Sequence, residues 1–292
     1  MSDRVVVRAP ATVANLGPGF DCLGLALAWY DEVRVERHDG PLEISVSGRG
    51  AENVKRDETN YIHMAMRAVM DDVPDVRIHK MVSVAYGRGF GSSAISIVAG
   101  LLAGRALGST GHSDADLLAI ASEMEGHPDN VAPCMLGGVT IVAGERVERL
   151  DPPLGVRALV CIAPSRLSTK TARAALPDTV SRAVAVASLS RAALLAATLA
   201  TGRTDALMDA TEDVLHQPPR FELMPDTGEL VGALRAQGIA AFLSGAGPSV
   251  TALVPTARAS AADSAAKQVA PDGWEVRLED FDAVGATIVD ER

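Results

Sequence analysis

Eight consecutive residues, Gly87-Arg88-Gly89-Phe90-Gly91-Ser92-Ser93-Ala94, combine glycine at every second position with paired serines, and an apolar run over 95–104 follows at once. Glycines so spaced let the backbone adopt conformations closed to other residues and let a ligand approach the main chain. Such a turn, feeding the open N–H donors and partial positive charge of a helix start, favours a bound phosphate. The Walker loop requires a lysine before its hydroxyl residue, and none is present; the dinucleotide fingerprint requires G-x-G-x-x-G, and this run is G-x-G-x-G. A ligand-free glycine turn capped by serine would use the same residues.

Four further polar groups interrupt the aliphatic background. Asn15 and Asp21 lie in a stretch rich in Gly, Pro and Asn over 9–21, where they serve either as turn formers or as ligands. Glu123-Met124-Glu125-Gly126-His127-Pro128-Asp129-Asn130 gathers five groups able to hold a metal or hydrogen-bond a substrate at the end of a helix. Arg191 falls inside an apolar helical pattern, and Arg220 follows His216-Gln217-Pro218-Pro219. A buried guanidinium seeks a carboxylate, which it grips with two parallel bonds; an exposed one snorkels to water. Ser244-Gly245-Ala246-Gly247-Pro248 is a tight turn between two short apolar runs, suited to a hairpin or to bracing a phosphate loop.

The elements that must position these groups follow from periodicity and breakers. Strands are expected over 5–8, 31–37, 42–47 and 76–86, with a helix over 60–70 and another from the glycine loop to about 107. Ser113 and Asp116 have capping-box spacing ahead of a helix over 117–124. Strands are expected over 139–142 and 156–163, and Asp151-Pro152-Pro153 between them is the strongest break, so two domains, 1–150 and 151–292, are expected. The second half reads as helices over 179–199, 205–214, 227–236 and 257–269, with strands over 239–243, 249–254 and 274–278. No doubly wound parallel pattern emerges, which makes the fold class α+β.

At 292 residues, 48% hydrophobic but only 3% aromatic, the chain can bury a large aliphatic core. A net charge of −10 argues against nucleic acid or an acidic membrane surface as partner, since both require a basic footprint. Cys22, Cys134 and Cys161 are isolated and lack metal-ligand spacing. With no signal-peptide core at the N-terminus and no run of eighteen uninterrupted apolar residues, a cytoplasmic protein without membrane attachment is expected.

Four segments in order resemble the GHMP kinase superfamily and, within it, the homoserine kinases. They are Pro10-Ala11-Thr12-Val13-Ala14-Asn15-Leu16-Gly17-Pro18-Gly19-Phe20-Asp21, then Tyr86-Gly87-Arg88-Gly89-Phe90-Gly91-Ser92-Ser93-Ala94, then Glu125-Gly126-His127-Pro128-Asp129-Asn130-Val131-Ala132-Pro133, and Leu243-Ser244-Gly245-Ala246-Gly247-Pro248. The resemblance spans nearly the whole chain, and the third segment narrows it from superfamily to homoserine kinases. Ala85 and Phe90 stand where that family usually has proline and leucine, so altered loop packing with the glycine pattern intact is expected.

The resemblance implies an N-terminal domain like ribosomal protein S5, carrying the ATP loop, and a ferredoxin-like C-terminal domain. It implies transfer of the ATP γ-phosphoryl group to the side-chain hydroxyl of L-homoserine by a homodimer. ATP would lie on Ala85, Tyr86, Gly87, Arg88, Gly89, Phe90, Gly91, Ser92, Ser93 and Ala94, braced by the third-motif loop Ser244, Gly245, Ala246 and Gly247. Mg²⁺ would be held by Ser93 and Glu125, the latter preferred to Glu123. Asn15 and Asp21 would receive the substrate ammonium, Arg191 and Arg220 its carboxylate, and Asn130 would orient the reacting hydroxyl. Asp21 is the one candidate base, although phosphoryl transfer requires none. Rival readings keep the fold with a mevalonate, shikimate or sugar acceptor, or make the chain a non-catalytic binding protein.

Overall fold

The computed structural model describes residues 3–71, 73–84 and 86–289. Its first strand, β1 (Arg4–Ala14), runs well past the expected 5–8 and straight through Pro10. Proline lacks a ladder donor, but the register shifts between Pro10 and Ala11, and a bulge tolerates the missing N–H. β2 (Leu23–Arg37) is also far longer than 31–37. Its second half alternates as expected, whereas Leu23 to Leu27 are all buried because both faces are covered, and no alternation marks such a segment.

There follow β3 (Glu43–Gly48), α1 (Tyr61–Val69), β4 (Val76–Val82), α2 (Ser92–Gly108), α3 (Asp114–Glu125), α4 (Pro128–Leu136), β5 (Val139–Ala143) and β6 (Arg146–Leu150). α3 has the expected capping box, with Ser113 and Asp116 satisfying each other's backbone N–H. α4 begins where the sequence pattern suggested only the end of α3. Gly126, at φ 84°, stops one helix and Pro128 opens the next.

The second half contains β7 (Val156–Ile162), α5 (Thr169–Ala174), α6 (Arg182–Thr201), α7 (Leu207–Ala210), α8 (Gln217–Phe221), α9 (Pro225–Ala236), β8 (Ala240–Leu243), β9 (Val250–Pro255), α10 (Ala259–Val269), β10 (Glu275–Glu279) and β11 (Thr287–Ile288). The helix expected over 205–214 shrinks to one turn. Asp213 accepts the backbone N–H groups of Leu215, His216 and Gln217, at 3.1, 2.9 and 2.7 Å, and so turns the chain away.

The first sheet has the order β11-β1-β2-β4-β3, with β5 joining the other half of β2 and β6 pairing with β5. The second has the order β10-β7-β9-β8. β3 runs parallel to β4, and the remaining pairs are antiparallel. Strands up to Leu150 belong to the first sheet and those from Val156 to Glu279 to the second. The division expected at 150 is incomplete, however, because β11 returns to pair with β1, Val7 against Ile288.

One core spans both sheets. Val156, Ala158, Val160 and Ile162 of β7 face the large cluster that also holds the first sheet, while Leu159 and Cys161 face a smaller cluster beneath α9 and α10. This is strand alternation applied to a sheet covered on both sides. α2 is buried on almost every face and fixes the position of its own N-terminus. Among the described residues one helix, α6, is long and apolar enough to cross a membrane. It carries Arg191 at its middle, paired with Glu212 at 2.6 Å.

α2 crosses α1 at Gly100 and Gly104, and a Cβ at Gly100 would lie 2.4 Å from the Ile62 carbonyl oxygen. Gly100→Val is therefore expected to cost about 2–3 kcal/mol through overpacking. Gly111→Ala, with nothing within 4 Å, should stay within about 0.5 kcal/mol. Urea midpoints of the two variants against the parent chain check the contrast.

Candidate active site

The glycine loop is built as its spacing suggested. Gly87, Gly89 and Gly91 have φ of 67°, 89° and 66°, the left-handed region that a side chain disfavours. Two of them are also sites of close approach: a Cβ would lie 2.1 Å from the Ser244 carbonyl oxygen at Gly89, and 2.0 Å from Thr12 Oγ1 at Gly91. Gly91 is the residue preceding α2 and offers no side-chain cap, so the first turn of the helix opens toward the cavity. The serines do not cap it. Ser92 Oγ accepts from Gly87 N–H at 3.3 Å, and Ser93 Oγ donates to Glu125 Oε1 at 2.6 Å.

Glu125 reaches this point from the last turn of α3, and burial pushes its carboxyl above the usual carboxylate range despite the Ser93 bond. Glu123, two residues earlier, is exposed on another side of the helix. His127 pairs through Nδ1 with Asp129 Oδ1 at 2.7 Å. Burial alone would lower its pKa, but the Asp129 hydrogen bond and the charges of Asp129, Glu125 and Asp21 outweigh it, and the imidazole is raised. Asn130 Oδ1 accepts from Thr12 Oγ1 at 2.8 Å, which leaves the amide NH₂ as the group it can offer a ligand.

The loop after β1 forms the opposite wall. Asn15, Leu16 and Asp21 have φ of 70°, 49° and 55°. Left-handed backbone at a buried leucine is uncommon, and the surroundings hold it: Asn15 N–H donates to Leu23 O at 2.7 Å, and Asn15 Nδ2 donates to Gly245 O at 3.0 Å. Asn15 Oδ1 in turn accepts from Asp21 N–H at 3.0 Å. Asp21 faces Arg173 of α5 in a fork of two bonds, 2.7 and 2.8 Å.

Arg220, only 2% exposed, lies close by. Its Nη1 donates to His216 Nδ1 at 3.1 Å and to Gly245 O at 3.3 Å. Arginine only donates, so His216 Nδ1 is the acceptor, and its protonated Nε2 donates to Gly17 O at 2.8 Å. Burial lowers the His216 pKa and keeps it neutral for that role. The Phe20 ring lies near both guanidiniums, 5.5 Å from Arg173 and 5.4 Å from Arg220.

One cavity is lined by Asn15, Asp21, Gly87, Gly89, Gly91, Ser92, Ser93, Glu125, Asn130, Arg220, Gly245, Ala246 and Gly247 from the sequence-based set. Phe90 and Ala94 are buried behind it, Phe90 against the Trp29 ring at 5.3 Å. Ser244 Oγ donates to Gly89 O at 2.7 Å, Tyr86 is half-buried, and Arg88 Nη2 donates to Pro164 O at 3.1 Å. Ala85 lies outside the described residues.

Arg191 is not at the cavity. α6 buries only Ser188, Leu195, Thr198 and Leu199, so Arg191 is only half-buried, and it pairs with Glu212. Arg173 takes the place expected for it, together with His127, Asp129, Leu167 and Thr169. His127 and Asp129 were visible as a polar cluster, and the Ser168 cap marks the start of α5. Nothing in the charge pattern separates Arg173 from the other arginines.

Sequence models of the GHMP kinases N terminal domain and the GHMP kinases C terminal region match residues 60–138 and 192–272. The chain is 43% identical to a homoserine kinase of Streptomyces avermitilis, covering 98% of this chain and 95% of that one. It is 43% identical to the homoserine kinase of Clavibacter michiganensis over 99% and 95%. A solved homoserine kinase from Cytophaga hutchinsonii superposes with a TM-score of 0.88 at 29% identity, covering 99% of this chain and 98% of that one. With this cavity, this two-sheet α+β frame and relatives matched along nearly its whole length, the chain belongs to the homoserine kinase family of the GHMP kinases.

Proposed function

We propose that the protein transfers the γ-phosphoryl group of ATP to the side-chain hydroxyl of L-homoserine, forming O-phospho-L-homoserine for threonine biosynthesis. The observation that carries this reading is the pairing of Asp21 with Arg173 beside Arg220, on the wall facing the glycine loop. A carboxylate hydrogen-bonded to one guanidinium, with a second lining the same cavity, matches the ammonium and carboxylate of a free amino acid. A mevalonate, shikimate or sugar acceptor has no ammonium for Asp21.

In this reading the backbone donors of Gly87, Gly89, Gly91 and the first turn of α2 receive the nucleotide phosphates. The homoserine ammonium replaces Arg173 as the partner of Asp21 and hydrogen-bonds Asn15. The released Arg173 joins Arg220 on the carboxylate, with Arg220 already held by His216 and Gly245. Asn130 NH₂ donates to the reacting hydroxyl oxygen and aims it at the γ-phosphorus. A new O–P bond forms there as the bond from the γ-phosphorus to the β–γ bridging oxygen breaks, ADP leaves with that electron pair, and the hydroxyl proton passes to solvent water. Asp21 is committed to the ammonium and is not needed as base, since a loose transition state is served by positioning and electrostatics.

A hydroxyl and a carboxylate in contact, facing a phosphate cradle, fit Mg²⁺, which takes few protein oxygens and completes its shell with phosphate and water. Ser93 and Glu125 would hold it, and when bound it neutralises charge on the transferring phosphoryl group. Homodimer assembly and a cytoplasmic location belong to the same proposal. The exposed apolar residues of α6, Val186 and Leu189 at 58% and 70%, support the dimer.

Coupled ADP release is expected with ATP plus homoserine, and not with mevalonate, shikimate, galactose or no acceptor. A preference for any of these over homoserine would overturn the reading. Arg220→Ala and Arg173→Ala should each raise KM for homoserine by the equivalent of about 2 to 4 kcal/mol, the scale of a broken buried charge pair, Arg173 toward the lower end because it is more exposed. Arg191→Ala should leave that KM unchanged. Protonation of Glu125 displaces the metal, and its raised pKa brings this loss to a higher pH than for an ordinary glutamate. At limiting Mg²⁺ activity should therefore fall on the acid side, and excess Mg²⁺ should move the fall to lower pH. Glu125→Gln should abolish that Mg²⁺-dependent shift, and Glu123→Gln should retain it.

A further inference from the structure

Beneath the glycine loop lies an ion pair with no part in the chemistry above. Asp31 of β2 and Lys80 of β4 are each 1% exposed, with Lys80 Nζ 3.2 Å from Asp31 Oδ2. Asp31 Oδ1 accepts the backbone N–H groups of Ser83 and Val84 at 2.7 and 2.8 Å, the residues through which β4 leads into the loop. On the other side Lys80 Nζ donates to Ser96 Oγ at 2.8 Å, and Ser96 Oγ donates to the Ser92 carbonyl at 3.1 Å. Ser92 is the first residue of α2, where the loop ends.

Burying two ions costs more than their attraction returns unless further hydrogen bonds support them, and an apolar pair of similar volume commonly packs as stably. Stability alone is thus a weak reason for these residues. Their supporting bonds end on the two segments that flank the loop. We infer that the buried Asp31–Lys80–Ser96 chain is a positioning element for the nucleotide, locking both ends of the phosphate-binding loop at one fixed separation. It acts only through the loop, so its effect falls on ATP and not on the amino-acid acceptor, whose ligands lie on other segments.

The inference rests on the nucleotide half of the proposed function, and its test is therefore read by direct binding. Mg·ATP is titrated calorimetrically into the parent chain, Lys80→Met, Asp31→Asn/Lys80→Met and Ser96→Ala, with melting temperatures and homoserine KM measured beside it. Lys80→Met strands a buried carboxylate and should lose stability, which the double variant should largely regain. The double variant should nevertheless bind Mg·ATP about tenfold or more weakly, as expected when a binding group shifts by a fraction of an ångström. Its homoserine KM should stay within about twofold, and Ser96→Ala should show a smaller loss of the same kind. A stable double variant that binds Mg·ATP like the parent would overturn the inference. So would a loss of both substrates together in step with melting temperature. A parent chain that binds Mg·ATP but does not phosphorylate homoserine would count against the acceptor and leave the positioning role to be decided by the variants' affinities.

Discussion

The Ser244 hydroxyl and the Gly89 carbonyl meet at 2.7 Å across 155 residues of sequence, and the cavity depends on that contact. It joins the turn between β8 and β9, in the second sheet, to the loop that leads into α2 over the first. The approach is so close that a side chain at Gly89 would strike the Ser244 backbone. Around it the other loops interlock: Thr12 with Asn130 and with the Phe90 carbonyl, Asn15 with Gly245, and Arg220 with Gly245 again. Each loop is a partner for the next. The phosphate cradle is consequently a junction between two sheets that share one core, and its geometry is set by packing remote from any ligand.

The features readable from sequence are those with a local physical cause. Alternating glycines at 87, 89 and 91 announce positive φ, and Ser113 with Asp116 announces a capped helix, because each effect is complete within a few residues. The features that were not readable depend on what lies across the fold. Pro10 stops a strand unless a bulge accommodates it, and the bulge exists because β2 pairs along the whole of β1. The first half of β2 loses its alternation because α4 covers it, closely enough that a Cβ on Gly24 would lie 2.0 Å from the Asp129 carbonyl oxygen.

The two arginines illustrate the same division. Arg191 looked buried because its neighbours in sequence are apolar, yet α6 turns most of that apolar surface outward, and Glu212 satisfies the charge. Arg173 sits on a short, largely exposed helix, and only the fold brings it to Asp21. Arg220, read from the sequence on the same footing as Arg191, is the one of the two that the fold buries, in the short helix α8. A chain of net charge −10 thereby concentrates cationic groups where an anion must dock. It does so without a lysine in the loop, and the cations at the cavity are arginines, Arg173 and Arg220.

The strand at Thr287–Ile288 has a temporal consequence. β1 is synthesised well before β11, and the edge at Val7 and Arg8 stays unpaired until Thr287 and Ile288 have been made. Between those moments Ala28 and Gly138 also wait for Asp280 and Asp282, whose carbonyls they will bond at 2.8 and 2.7 Å. β11 therefore acts as a closing stitch: until it is made, the nascent first sheet carries an open edge, a pairing template of the kind that invites association with other chains. β11 covers that edge at Val7 and Arg8, so protection of the first sheet against self-association waits on a segment about 280 residues later.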